Sequence, residues 1–324
     1  MNLELKLMQE RLGAKAIIKH SQQKTEWIFN DLIERGEQWI VSGAPKAGKS
    51  RFALQLALCA SEGRSFLDFK CPKKHCVLYV DFELSPRISA SRVLNFYKND
   101  HDQLSRNESF FKCSDHKQID VNSTAECVAI KKIIETLNPD LIIWDVLARM
   151  HSVDENSNIA MIQIMQNIRQ LSHGAAHIVV HHARKENFGN GGAKALRGAS
   201  SIHGEADGVM ALALETSKKG SHSVLFSTRA IEDPGKMWLE SEGLGFRKAK
   251  AVLVEETKSL PVTLQNIFKD RVSIKKPELV TLLEGELKIG ARQLERKLNE
   301  MVLDGLLTKS KVGREAHYRL ALSN

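Results

Sequence analysis

No run of about 18 apolar residues, the length that spans a bilayer as a helix, occurs in the 324 residues. That excludes a membrane-spanning helical protein. The opening "MNLELKLMQE" mixes both charges and lacks the apolar stretch of a secretory leader, so a cytoplasmic location is expected. Cysteine is scarce: five residues (Cys59, Cys71, Cys76, Cys113, Cys127), odd in number and irregularly spaced, exclude a disulfide framework and read as reduced thiols. Cys71 and Cys76 flank His75, but a complete zinc ligand set is missing. Internal repeats and low-complexity tracts are also absent. What remains, 42% hydrophobic and 27% charged residues, describes an ordinary globular protein with a full core.

Length favours two domains, one large and one small. The formal net charge of +8 permits a polyanionic partner. Its distribution is uneven: from Lys258 onward there are 13 Lys/Arg against 8 Asp/Glu, so the tail is the basic part.

Residues 1–35 read as helical, through "LELKLMQERLGAKAII" and again "TEWIFNDLIERG". Then "QWIVSG" predicts a strand and "KSRFALQLALCASEG" a helix closed by Gly63. The alternation continues. "HCVLYVDFE", "PDLIIWDV" and "AHIVVHH" read as buried strands separated by helices, with Ser123 or Thr124 as one N-cap. Such alternation implies an α/β fold with a mainly parallel, doubly covered sheet. "GVMALAL" and "SVLFSTR" follow closely and suggest an antiparallel extension. After 249–259, which reads as a linker, the order is helix, helix, helix and a hairpin turning at Gly313, an order that suits a winged helix.

The strand–helix junction carries "GAPKAGKS": Gly43, Ala44, Pro45, Lys46, Ala47, Gly48, Lys49 and Ser50. Glycines let backbone N–H groups approach phosphate oxygens, the helix adds its positive end, Lys49 reaches the outer phosphates, and Ser50 is placed to hold Mg²⁺. The expected ligands are therefore ATP and Mg²⁺. Hydrolysis needs a carboxylate to handle water and another for the metal. Glu83, ending the strand "VLYVDFE", and Asp145, ending "LIIWD", lie at the sheet edge where α/β proteins place ligands. His181 and His182 end a third strand at the same edge. The stretch "ARKENFGNGGAKALRGASS" that follows is glycine-rich with almost nothing apolar, which by composition alone describes a surface loop.

Together, GAPKAGKS, "VLYVDFELSP", "LIIWDVLARMHSVDENSN", "IVVHHARK" and "LRGASSIHGEADGVMAL" resemble the RepA-type plasmid-replication helicases, a branch of the RecA/DnaB motor superfamily, over roughly residues 24–245. The phosphate loop is widespread; the acid, "DEN" and "HHARK" series in this order is far more distinctive. The resemblance implies a RecA-like P-loop core, taken over 24–248; the residue pattern itself adds an N-terminal helical segment (1–23) before it and a winged-helix-like domain over 260–324 after the linker. It implies a homo-oligomeric ring, usually a hexamer, with ATP between subunits. It further implies Glu83 as catalytic base, Asp145 as metal-site acid, His182 as γ-phosphate sensor and Arg229 as the arginine supplied to a neighbour's ATP. Lys194 and Arg197 in the glycine-rich stretch then face the central channel and grip single-stranded DNA, with little stacking because Phe188 is the only ring there.

RepA-type helicases need not carry the C-terminal module, and here the sequence departs from the pattern. Arg292, Arg296, Lys297, Lys311 and Arg314 suit contact with duplex phosphates, while Leu294, Leu298, Met301 and Leu306 suit a core. A winged helix used for protein contact has the same composition. The expectation is thus an ATP-driven DNA helicase or translocase of plasmid, phage or mobile-element replication. An ATP-switched initiator or regulator that never unwinds DNA remains the alternative, and a RecA-like recombinase a third.

Overall fold

The computed structural model describes residues 13–114, 118–182, 200–214, 221–229, 233–249, 260–269, 271–287, 294, 298, 301–302, 306–312 and 315–320. The chain divides into two compact units, Met1–Ala249 and Lys250–Asn324.

The first unit opens with α1 (Ala14–Ser21) and a two-stranded hairpin, β1 (Trp27–Phe29) with β2 (Ile33–Glu34). The hairpin corrects the helical reading of "TEWIFNDLIERG". Ile28, Phe29, Leu32 and Ile33 are all buried, a spacing that fits one face of a helix as well as two short strands. Asp31 decides between them: its φ of 56° is left-handed and turns the chain back.

The main sheet has nine strands among the described residues. In chain order they are β3 (Gln38–Gly43), β4 (Val77–Asp81), β5 (Phe110–Ser114), β6 (Leu141–Asp145), β7 (Ala176–His182), β8 (Gly208–Leu214), β9 (Ser221–Thr228), β10 (Lys236–Glu242) and β11 (Gly245–Lys248). In space they run β11-β10-β9-β8-β3-β7-β6-β4-β5. Strands β8 through β5 in that order are parallel. β9, β10 and β11 add on antiparallel. The sequence foreshadows the parallel core and the β8–β9 pair; β5, β10 and β11 are additional. β5 is a half-exposed edge strand, so it lacks the apolar run that marks its neighbours.

Helices cover both faces: α2 (Lys49–Glu62), α3 (Pro86–Phe96), α4 (His101–Ser105), α5 (Thr124–Leu137), α6 (Asn158–Leu171) and α7 (Ser200–Glu205). Gly63, with φ of 70°, ends α2, and Ser123 caps α5 by accepting from the Glu126 N–H. Alternation along the strands sorts side chains between two cores. Trp39, Val41, Tyr79, Ile143, Ile178 and Val180 pack with Phe52 and Leu56 of α2; Ile40, Leu78, Val80, Ile142, Trp144 and Val179 pack with α5 and α6. This parity decides which strand-end residues face the phosphate loop.

The second unit comprises α8 (Leu260–Phe268), β12 (Ile274–Lys275), α9 (Lys276–Leu287), β13 (Leu307–Val312) and β14 (Glu315–Leu320), with strands ordered β12-β14-β13. Leu294, Leu298 and Met301 join Leu264, Leu279, Leu283 and Tyr318 in its own apolar core, with Leu306 packed against it.

Candidate functional site

The site forms where β3, β4, β6 and β7 end. β3 is wholly buried and delivers the chain into the loop 44–48 and then α2. Two glycines are required there. A Cβ at Gly43 would lie 2.5 Å from the Leu212 carbonyl oxygen, and Gly48 has φ of 89°, with Phe246 Cζ 2.8 Å from where its Cβ would be. The β10–β11 hairpin presses on this region: Arg51 Nε donates to the Leu244 carbonyl at 2.6 Å, and Gln55 and the Phe246 backbone exchange two 2.7 Å hydrogen bonds.

Lys49 is buried and its ammonium donates to the carbonyls of Gly43 and Ala44, each at 2.9 Å. Burial pulls it down to about 8, against the opposing effect of Asp145 and Glu83. Ser50 Oγ donates to Asp145 Oδ1 at 3.1 Å, although the two are 95 residues apart in sequence. Tyr79 donates its hydroxyl to Asp145 Oδ2 at 2.6 Å. Asp145 is 1% exposed, and burial drives its carboxyl up to about 6 despite the two hydroxyl donors. Burial and the adjoining Asp145 carboxylate raise the Tyr79 phenol well above its ordinary value. A hydroxyl and a carboxylate oxygen side by side are hard oxygen donors of the kind Mg²⁺ takes.

Asp81 stands beside Asp145 in register but has a different task. Its Oδ1 accepts from the backbone N–H of Glu83 and Leu84, at 3.1 and 3.0 Å, and its Oδ2 from Ser89 at 2.5 Å and Lys112 at 3.1 Å. Burial acts to raise this carboxyl, but Lys112, Ser89 and the backbone donors outweigh it and hold it below the usual range. The strand stops at Asp81 rather than running on to Glu83. Glu83 is exposed on the turn that Asp81 braces.

β7 ends in register with the loop, Gly43 against His182. By strand parity His182 shares the face of Val180, which packs with α2, while the buried His181 shares the face of Val179. Burial lowers His182, as does Lys49, with Glu83 and Glu155 opposing. Burial, with His203, His182, Lys49 and His151 nearby, brings His181 down to about 4. His203 lies on α7, so β7 and α7, the elements at either end of 183–199, come together here.

Arg229 is exposed past the end of β9, and its Nη2 donates to the Gly204 carbonyl of its own chain. Lys194, Arg197, Arg292, Arg296, Lys297 and Arg314 lie outside the described residues, as does the Lys311 side chain on β13. Tyr79, Ser89 and Lys112 are contributors the sequence reading missed. Tyr79 had a signal: in a strand ending at Asp81, a residue two places earlier shares its face.

These elements define the class: the chain has the α/β fold of RecA-like P-loop NTPases, with its phosphate loop at the carboxyl edge of a mainly parallel sheet. The chain belongs to the AAA domain family (AAA_25), which matches residues 4–187. Among solved structures it is similar to the KaiC-like protein PH0186 from Pyrococcus horikoshii OT3, at 14% identity and a TM-score of 0.50, over 69% of this chain and 94% of that one. Similarity also extends to the RadB recombinase (16% identity, TM-score 0.47, 67% and 93% of the two chains). A third is the flagellar accessory protein FlaH from Methanocaldococcus jannaschii (13%, 0.48, 68% and 92%). No curated protein matches the sequence. No helix among the described residues is long and apolar enough to cross a membrane.

Proposed function

We propose that the protein is a Mg²⁺-dependent ATPase that works as a ring-forming DNA helicase or translocase. The observation that carries the ATPase part is the meeting of Ser50 and Asp145 beside the buried Lys49 at the mouth of the phosphate loop. Ser50 and Asp145 would hold Mg²⁺, which when bound neutralises charge on the phosphate oxygens. Residues 43–50 cradle the phosphates, and Lys49 leaves its carbonyl partners to meet the charge that builds on them. Glu83 takes a proton from the water that attacks the γ-phosphorus as the bond to the bridging oxygen breaks. His182 senses the γ-phosphate and passes its loss to the segment carrying Lys194 and Arg197, which holds single-stranded DNA. Arg229 exchanges its internal carbonyl partner for the ATP of a neighbour in a homo-oligomer, most simply a hexamer.

The resemblance of the motif series to RepA-type helicases supports the motor reading. The second unit, read as a winged helix, adds duplex contact through Arg292, Arg296, Lys297, Lys311 and Arg314. That this unit has a core of its own favours one second reading, an ATP-switched initiator held at its site by that unit without unwinding.

Phosphate release and displacement of one strand from a forked duplex test the proposal. Lys49→Ala loses both by roughly 10²–10³-fold, and Glu83→Gln binds ATP while losing turnover by a similar factor. Turnover indifferent to added DNA, from a protein that stays a single subunit with ATP, overturns the motor. DNA-stimulated turnover without displacement supports the initiator.

A further inference from the structure

Asp145 occupies a buried position with two oxygens to satisfy, and the structure gives each its own hydroxyl. Oδ1 accepts from Ser50 at 3.1 Å and Oδ2 from Tyr79 at 2.6 Å. The Tyr79 hydroxyl also lies 3.4 Å from the Ser50 carbonyl, so it touches both partners of the candidate metal site. Its ring is itself held. Lys112 Nζ sits 3.9 Å from the ring centroid while pairing with Asp81 at 3.1 Å. Asp81 in turn braces the turn that bears Glu83. The parallel register makes the chain of contacts possible: Tyr79 pairs with Lys112 on β5, and Asp81 pairs with Asp145 on β6.

We propose that Tyr79 is a positioning residue, whose hydroxyl fixes the Asp145 carboxylate so that Oδ1 is presented at Ser50, and whose ring, gripped by Lys112, ties that carboxylate to the Glu83 turn. This rests on the reading of Ser50 and Asp145 as the holders of the divalent ion. A carboxylate on a short side chain rotates about its last torsion unless both oxygens are engaged, and hydrogen bonds behind a metal ligand set how well it holds the ion. Tyr79 reaches neither the nucleotide nor the attacking water. It acts only through Asp145.

The test is Tyr79→Phe, which keeps the ring under Lys112 and removes a single oxygen. Mn²⁺ serves as the probe, its binding to the protein with a slowly hydrolysed ATP analogue read by electron paramagnetic resonance. Binding of a fluorescent ATP analogue in excess EDTA is the control. The expected result is a Mn²⁺ affinity lowered by about 10- to 100-fold with metal-free nucleotide binding unchanged. Unchanged Mn²⁺ affinity overturns the proposal, as does an equal loss of nucleotide binding in EDTA, which is what general loosening of the core produces. Asp145→Asn run alongside separates the two readings. If it weakens Mn²⁺ binding and Tyr79→Phe does not, only the positioning role falls; if neither does, the metal-site reading falls with it. Should Tyr79→Phe fail to fold, Lys112→Met, which frees the ring and leaves the hydroxyl, is measured in the same way: a smaller loss of Mn²⁺ affinity with metal-free nucleotide binding unchanged is expected, and an unchanged Mn²⁺ affinity, or an equal loss in EDTA, overturns the proposal.

Discussion

The two ends of β6 each hold an aspartate, and the pair behave as opposites. Asp140, just before the strand, is paired with the Arg35 guanidinium, accepts from the Cys76 N–H at 3.0 Å and has His75 Nδ1 at 3.6 Å. Asp145, at the strand's end, is more deeply buried yet forms no ion pair among the described residues, only hydroxyl contacts. A buried carboxylate with a cation beside it is a finished structural element. One held by neutral donors alone keeps an unmet demand for positive charge, which a site can use. Asp81 sharpens the point: it neighbours Asp145 in the sheet, but Lys112 already answers its charge. Of these three aspartates, Asp140 and Asp81 are answered by cations of the chain, whereas Asp145, beside the phosphate loop, meets only hydroxyl donors among the described residues.

Asp145→Asn should break this contrast most visibly. The amide fits the space and needs no counter-charge, so phosphate release falls by roughly 10²–10³-fold while the melting temperature does not drop. A variant that melts earlier yet turns over normally would place Asp145 in the same class as Asp140.

The amino edge of the sheet should also carry part of the acid sensitivity of folding. His177 is fully buried there, with Nε2 2.9 Å from Gln38 Oε1 and Nδ1 3.1 Å from the Ala175 carbonyl oxygen. Burial brings it down to about 4 from an ordinary value of 6.5. Because the unfolded chain takes up this proton first, the stability it contributes is complete above pH 6.5 and is lost as pH falls towards 4, by up to about 3 kcal/mol. Replacement by Gln should flatten that part of the curve in urea melts between pH 7 and pH 4. An unaltered acid limb would mean that His177 charges freely in the folded state.

Much of this arrangement was legible in the sequence, for a definite reason. A phosphate loop, a buried strand ending in an acid and a strand ending in two histidines are local patterns, and a parallel sheet places all such ends along one edge. The hairpin at 27–34 was misread because its buried pairs satisfy helical and hairpin spacing alike, and the turn hangs on the backbone of Asp31. Lys112 was invisible for another reason. Its tie to Asp81 spans 31 residues and depends on the β4–β5 register, which no local pattern encodes. The two cores on either side of the sheet also separate His181 from His182, putting His182, the one the resemblance singles out, on the face of Val180 that packs with α2.

The smallest effect falls on the finished acid. In Asp140→Asn the amide oxygen still accepts from either Arg35 or the Cys76 N–H, but Arg35 loses its nearest counter-charge and, among the described residues, only Glu26, 3.8 Å away, remains. Arg35 is about one-third exposed, with side-chain accessibility of 33%, so water screens much of the loss. The cost should be about 1–2 kcal/mol rather than the larger penalty of a sealed ion pair. Turnover at saturating ATP should be unchanged, because the rigid length of β6 separates Asp140 from Ser50 and Asp145. A chemical melt paired with a phosphate-release assay reads both quantities on one preparation. If Asp140→Asn slows hydrolysis as much as Asp145→Asn does, the two ends of the strand are energetically coupled, and the division between structural and ligand-facing acids fails at its clearest case.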